Sequence, residues 1–161
     1  MSDNQLTIHD RLDSILESIN LIQEWSRNRK TVHDFMTSPT GVMAFNACVM
    51  RLQVIGEHVG KLLKNSERPL SAYSTIPWNA IYGMRNFVSH EYANIDEEII
   101  VSTINDDLPP LRATIVLQVE DESLVAKVKQ ACKMLMGVTS VRVQKTLLFL
   151  ETGTHADLFG W

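Results

Sequence analysis

The sequence has few of the residues that mark several classes of protein. Its two cysteines, Cys48 and Cys132, lie far apart, which excludes a disulfide framework and a cysteine-based zinc spacing. Five Pro and seven Gly among 161 residues, with 45% hydrophobic residues, exclude a fibrous or disordered chain. No apolar run approaches the roughly 20 residues of a membrane span, and the polar residues 1–5 do not resemble a signal peptide. We therefore expect a soluble, cytoplasmic protein without a membrane association.

Positive charge is also scarce, because the formal net charge is -4. Residues 1–111 contain 9 Lys and Arg against 14 Asp and Glu, and residues 112–161 contain 6 against 5. Neither part is a basic module of the kind that coats nucleic acid, since affinity for phosphate backbones comes mostly from Lys and Arg. Any contact with nucleic acid must therefore use a small local site. Two small basic clusters are candidates for guiding such a substrate: Arg27, Arg29 and Lys30, and Lys61, Lys64 and Arg68.

Apolar residues recur at helical spacing through the first two thirds of the chain. They predict helices over residues 7–26, 32–36, 42–63, 78–92 and 97–108. Such a series, joined by short polar loops, is typical of an antiparallel bundle of four or five helices, and we assign residues 1–111 to it. Gly56 and Gly60 lie one turn apart inside the longest predicted helix. Because glycine costs a helix about 1 kcal/mol relative to alanine, their spacing favours the close approach of another helix.

The hydrophobic pattern changes after residue 111. Apolar and polar residues alternate from Arg112 to Val119, which predicts a strand. A helix is then expected from Asp121 to Gly137, followed by short strands over residues 138–143 and 147–150. The sequence thus predicts a mainly α protein with a small strand–helix–strand, or α/β, extension over residues 112–161.

Most polar residues of the chain show no pattern that indicates chemistry. None of the five histidines lies in a zinc-binding context, and no glycine-rich phosphate loop occurs, so we predict neither a metal nor a cofactor. The segment from Arg85 to His90 is the exception. Asn86 and His90 are four residues apart and share a helix face close to Arg85. A fixed cation, an amide and a group that titrates near neutral pH are suited to cleaving RNA without a metal, although this spacing also arises by chance.

These residues resemble a known family. The R-x4-H-x-Y motif of the HepT-like family, in the HEPN superfamily of helical proteins, is matched by Arg85-Asn86-Phe87-Val88-Ser89-His90-Glu91-Tyr92. The flanking blocks are similar in the same order: Ile55-Gly56-Glu57, Pro77-Trp78, Ile81-Tyr82-Gly83-Met84, Ile95-Asp96 and Asp107-Leu108-Pro109. The resemblance covers roughly residues 8–111 and leaves the last 50 residues unexplained.

The resemblance implies a metal-independent endoribonuclease toxin, paired with an MNT-type nucleotidyltransferase antitoxin. Carried over by position, Arg85 and His90 are the catalytic pair and Asn86 is the supporting polar residue. Tyr92 corresponds to the tyrosine that the antitoxin modifies with AMP groups, which blocks the nuclease. The family also implies a homodimer in which two motifs face one cleft, with RNA as the substrate.

Two other classes of function are compatible with the same residues. The chain is alternatively a non-catalytic binding subunit that partners a nucleotidyltransferase and presents a substrate or Tyr92 to it. In a third interpretation it is a structural helical dimer, in which Arg85 and His90 close an internal polar network. The presence of both Arg85 and His90 favours the nuclease.

Overall fold

A computed structural model describes residues 6–90 and 95–136, and for residues 87–90 and 134–136 it describes the backbone alone. The chain divides into two compact units, Met1–Leu117 and Gln118–Trp161. The first unit holds the helices that surround the candidate site. The assignment of separate domains to residues 1–111 and 112–161 stays a prediction.

The first two helices of the first unit each begin at a capping box. Helix α1 spans Ile8–Trp25, and the Thr7 hydroxyl accepts from the Asp10 N–H while the Asp10 carboxylate accepts from the Thr7 N–H. Helix α2, Val32–Met36, begins with the same reciprocal arrangement at Thr31 and Asp34. Each pair satisfies backbone donors that the first turn of a helix leaves unpaired.

Helix α3, Pro39–Leu63, is the central helix and contacts α1, α2 and α4. It begins three residues before the predicted start, because Ser38 caps it and Pro39 occupies the first turn, where a missing N–H costs nothing. The buried apolar face of α3 packs against the buried apolar face of α1. The fully buried apolar residues of the two helices are Leu12, Ile15, Ile19, Ile22, Cys48, Val49, Leu52, Ile55, Val59 and Leu62.

Helix α4 spans Trp78–His90, and α5, capped by Asp96, spans Glu97–Ser102. A five-residue π-helical segment, Thr103–Asp107, follows directly and passes into α6, Leu108–Met136. The Leu108 N–H donates to the Thr103 carbonyl, five residues back, so the turn is wider than that of an α-helix.

Pro109 and Pro110 explain this widening. A proline ring inside an α-helix clashes with the carbonyl four residues earlier. Here the wide π turn precedes the two prolines, which lie in the first turn of α6. The helical run therefore continues past both prolines into α6.

The prediction of a mainly α helical bundle is confirmed, but the strand over residues 112–119 is wrong. That segment is part of α6. Leu108, Leu111 and Ile115, at helical spacing, are buried, whereas Leu117 on the supposed strand face is 54% exposed. The helix expected from residue 121 is confirmed as a continuation of α6, and the strands expected over 138–143 and 147–150 lie outside the described residues.

None of the helices in the described ranges is both long and apolar enough to cross a membrane.

Candidate active site

The segment with the R-x4-H-x-Y motif is placed by the start of α4. Pro77 precedes the helix, and its carbonyl accepts from the N–H groups of Ala80 and Ile81. Trp78, 7% exposed, anchors the first turn, because its indole N–H donates to the Tyr73 carbonyl at 2.8 Å. A buried aromatic residue with its donor satisfied fixes the rotation of the helix that follows it.

Two glycines of α3 bring α4 unusually close. A Cβ atom on Gly56 would lie 3.0 Å from the Arg85 Cβ and 3.1 Å from the Ile81 carbonyl oxygen. One turn along, a Cβ on Gly60 would overlap the ring of Tyr82. The prediction that these glycines admit another helix is therefore confirmed. We call this contact, formed by Gly56 and Gly60 against Tyr82 and Arg85, the α3–α4 seam.

Arg85 leaves the seam to form an ion pair with Glu57. The Arg85 Nε lies 3.0 Å from a Glu57 carboxylate oxygen, and the two side chains are 39% and 42% exposed. Exposed pairs of this kind contribute only about 0–1 kcal/mol to stability. The pair therefore matters mainly because it restricts the direction of the guanidinium group, which remains accessible to solvent.

The other predicted site residues lie further along α4. Asn86 is exposed. His90 is the last residue of α4, and its side chain lies outside the described atoms, as does the whole of Tyr92. On an α-helix, positions 85 and 90 are separated by about 7.5 Å along the axis and about 140° around it. Asn86 and His90 are one turn apart and share a face.

Sequence reasoning placed Lys64 in a basic cluster that could guide a substrate, but it missed the contacts of Glu57, Tyr82 and Lys64. The Lys64 ammonium lies over the Tyr82 ring, 5.5 Å from its centroid, within the distance at which a cation is attracted to an aromatic face. The sequence placed Glu57 and Tyr82 in blocks that resemble the family but gave them no contact. The sequence did contain one signal for these contacts. Residues 57, 60 and 64 are spaced three and four apart, so they lie on one face of α3.

Burial changes the titration of two groups on the neighbouring part of α3. Burial lowers the pKa of His58, and the positive charge of Arg11 adds to this effect. His58 is thus a half-buried structural histidine. Burial raises the pKa of the Cys48 thiol to about 11, so this cysteine is an inert part of the core.

Within the described ranges, no group of three His, Cys, Asp or Glu side chains is arranged to hold a metal ion. An apolar cavity of about 260 Å³ is lined mainly by Leu52, Ile55, Ile81, Met84, Leu108 and Leu111. Its lining does not include Arg85 or Asn86.

The helical bundle and the cation on α4 agree with the comparison of this chain with known families. The model of the family described as Ribonuclease HepT-like matches residues 15–117. The chain belongs to the HepT-like ribonuclease family.

Named relatives support the same assignment. The chain is 30% identical over 103 residues to a protein of Thermococcus cleftensis named "Probable ribonuclease HepT". The matched region covers 64% of this chain and 87% of that protein. It is 31% identical over 110 residues to a Methanocaldococcus jannaschii protein named "Gamma-glutamylcyclotransferase and putative RNase", which covers 68% of this chain. The chain spans 46% of the length of that second protein. No solved structure matches this chain.

Proposed function

We propose that this protein is a metal-independent endoribonuclease in which Arg85 and His90 act on the same phosphate. His90 takes the proton from a ribose 2′-hydroxyl as the 2′-oxygen attacks the adjacent phosphorus. The bond from phosphorus to the 5′-oxygen breaks and leaves a 2′,3′-cyclic phosphate. The leaving 5′-oxygen takes a proton from solvent water, and His90 returns to the solvent the proton that it took. Arg85 binds the phosphate and offsets the negative charge that builds up on its oxygens.

The observation that carries this proposal is the Glu57–Arg85 ion pair on the α3–α4 seam. Catalytic groups act best when rigid elements hold them in place before the substrate arrives. Arg85 meets this condition, because its Cβ lies against Gly56 while Glu57 binds its Nε. The family assignment supplies the reaction class.

The test compares RNA cleavage by the purified chain with cleavage by Arg85→Ala and His90→Ala. Both variants should lose activity by at least a hundredfold, because proton transfer by His90 and charge stabilisation by Arg85 each usually contribute about that much. His33→Ala, on the exposed surface of α2, is the matched control and should cleave like the unchanged protein. Cleavage should persist in a chelator. Equal cleavage by the unchanged protein and His90→Ala would contradict the proposal.

The proposed active form is a homodimer. Because positions 85 and 90 are about 140° apart around α4, one copy of the helix presents them in different directions. Two copies facing one cleft would allow the arginine of one copy to work with the histidine of the other. Mixing inactive Arg85→Ala and His90→Ala proteins, after unfolding and refolding together, should then restore part of the activity. A mixture that stays inactive while forming mixed dimers would contradict a shared site.

We further propose that the protein is a cytoplasmic toxin that an MNT-type nucleotidyltransferase antitoxin inactivates by AMPylation of Tyr92. An AMP group two residues from His90 would bring negative charge and bulk to the phosphate site, and both oppose RNA binding. Co-expression with such an enzyme should add AMP to the unchanged chain and to Tyr73→Phe, but not to Tyr92→Phe, as read by mass spectrometry. Modification that persists in Tyr92→Phe would exclude this tyrosine.

The alternative is a non-catalytic subunit that binds the nucleotidyltransferase. The ion pair between Glu57 and Arg85 is the observation that favours this alternative, because an arginine bound by a carboxylate can also be a purely structural link between two helices. Under this alternative the purified chain leaves RNA intact, and Arg85→Ala weakens binding of the partner protein.

A further inference from the structure

We propose that Lys64, held over the Tyr82 ring at the far end of the α3–α4 seam, binds an RNA phosphate about three nucleotides away from the bond that is cut. This inference rests on the proposed function and adds a subsite for the substrate strand. The subsite is formed by Lys64 and Tyr82. Its ligand is a phosphate group of single-stranded RNA.

Helices α3 and α4 are aligned so that Lys64 lies on the line of the seam. Gly56 contacts Arg85, and Gly60 contacts Tyr82, so the two helices run antiparallel along the seam. Residue numbers rise along α3 as they fall along α4. Lys64, at the C-terminal end of α3, consequently continues the same line beyond Tyr82.

The Lys64 side chain is already held in place by an aromatic ring. Free lysine side chains lose considerable rotamer entropy when they bind a ligand. Here the ammonium group already lies 5.5 Å from the centroid of the Tyr82 ring, where the face of the ring attracts it. Tyr82 is in turn fixed by its contact with Gly60, a position at which no larger residue would leave room for the ring. Tyr82 is therefore a positioning residue for Lys64.

The spacing between the two cations, Arg85 and Lys64, matches a short stretch of RNA. Glu57, the partner of Arg85, lies seven residues before Lys64, which corresponds to about 10 Å along the axis of α3. Stacked nucleotides rise about 3.4 Å each along one strand, so this distance matches about three nucleotides. A strand whose reacting phosphate lies at Arg85 would thus bring a later or earlier phosphate to Lys64.

The balance of charge along the seam also suits a phosphate strand. Glu57 is already engaged by Arg85, whereas Lys61 and Lys64 are exposed within the last turn and the cap of α3. A chain of net charge -4 needs such a local concentration of cations to hold RNA. An acidic protein partner would also be attracted to these lysines, and the test separates the two ligands.

The experiment measures binding and cleavage separately. Binding of a fluorescent single-stranded RNA is measured at several salt concentrations. Three proteins are compared. All carry His90→Ala, and position 64 is Lys64 in the first, Lys64→Ala in the second and Lys64→Arg in the third. Lys64→Ala should weaken binding about fivefold and reduce the slope of log K against log salt by about 0.7, the loss of one phosphate contact on a single strand. Lys64→Arg should retain binding, because arginine also binds phosphate and lies over aromatic rings. Lys127→Ala, the same loss of charge at an exposed position of α6, should change neither quantity.

Cleavage then locates the subsite. This second measurement uses protein that retains His90. On the side of the cut that reaches Lys64, RNA that extends at least four nucleotides should have a lower KM than RNA truncated to one nucleotide. Lys64→Ala should remove this preference and leave kcat unchanged, since a contact made equally in the ground state and the transition state affects KM alone. Tyr82→Leu should reproduce part of the effect, and it should add little to Lys64→Ala.

The outcomes for the two proposals are distinct. RNA cleavage that is indifferent to Lys64→Ala at all lengths and salt concentrations would overturn the subsite and leave the nuclease intact. Binding of RNA that depends on Lys64 in a protein that never cuts would overturn the nuclease, and it would support Lys64 as a site for an RNA phosphate without the stated distance from a cut. Loss of nucleotidyltransferase binding in Lys64→Ala, with RNA binding unchanged, would show that the surface recognises a protein and would also overturn the subsite.

Discussion

Replacing Gly56 by alanine tests the close approach of α3 and α4 directly. Two effects oppose each other at this position. Alanine favours a helix over glycine by about 0.8–1.0 kcal/mol. The new Cβ, however, would lie 3.0 Å from the Arg85 Cβ, 3.1 Å from the Ile81 carbonyl oxygen and 3.3 Å from the Arg85 nitrogen. Ordinary contacts of a Cβ are 3.4–4 Å, so α4 must move by a few tenths of an ångström.

Gly83 provides a matched control on the other helix of the seam. It lies inside α4, it is exposed, and a Cβ there would meet no atom within 4 Å. Gly83→Ala should therefore stabilise the protein by about 1 kcal/mol through helix propensity alone. At Gly56, overpacking typically costs about 1–3 kcal/mol, which leaves a net destabilisation of about 0–2 kcal/mol.

The two variants should consequently differ by about 1–3 kcal/mol in the free energy of unfolding. Urea unfolding followed by helical circular dichroism measures this difference. For a chain of this size, 1 kcal/mol corresponds to about 2–4 °C in Tm. If Gly56→Ala is as stabilising as Gly83→Ala, the helices are not in close contact at this point and the position of Arg85 needs another explanation.

Three further predictions concern the core and the helix ends. Burial raises the pKa of Cys48 to about 11, whereas Cys132 is only half-buried. A thiol reagent near pH 8 should therefore modify Cys132 in the folded protein and Cys48 only after unfolding. Equal labelling rates for the two cysteines would contradict this. Burial lowers the pKa of His58, so the unfolded state takes up its proton first as the pH falls below about 6.5, and stability is lost there. His58→Gln should flatten the fall in the urea midpoint between about pH 7 and 5, and an unchanged slope would assign the acid sensitivity to other groups. Ser38→Ala removes the side chain that accepts from the Gly41 N–H at 3.1 Å and should cost about 1 kcal/mol, whereas an unchanged Tm would show that the cap is not needed.

The sequence predicted the helical elements well where a single apolar stripe was present. The stripe of α1 from Leu12 to Ile22 is buried as expected, and Thr7 caps that helix. The close approach at Gly56 was also predictable, because glycine inside a long helix is costly unless another element needs the space.

The segment from Arg112 to Val119 shows why the rest was not predictable. Its apolar residues alternate, which satisfies a strand, while Leu108, Leu111 and Ile115 also form a helical stripe. A short segment that satisfies both periods is decided by its surroundings. Here, burial of Leu111 and Ile115 in the first unit favours the helix, and the Arg112 Nε donates to the Asn20 side chain of α1 at 2.8 Å.

The contacts of the candidate site were beyond reach for a different reason. The pair between Glu57 and Arg85 joins two helices, and which residues meet across a helix contact depends on the register and the rotation of both. The motif identified Arg85, but only the coordinates show that the Arg85 Nε is engaged and that Lys64 lies on Tyr82.

The two glycines of α3 have a consequence for moving this motif into another helical scaffold. Contacts at Gly56 and Gly60 match α4 at two points, Arg85 and Tyr82, which lie about one turn apart. Sliding α4 by a single residue would rotate its side chains by about 100° and place neither point on a glycine. A designer who grafts the motif therefore has to transfer both glycines together with it, since the two small residues encode the register that aims the arginine.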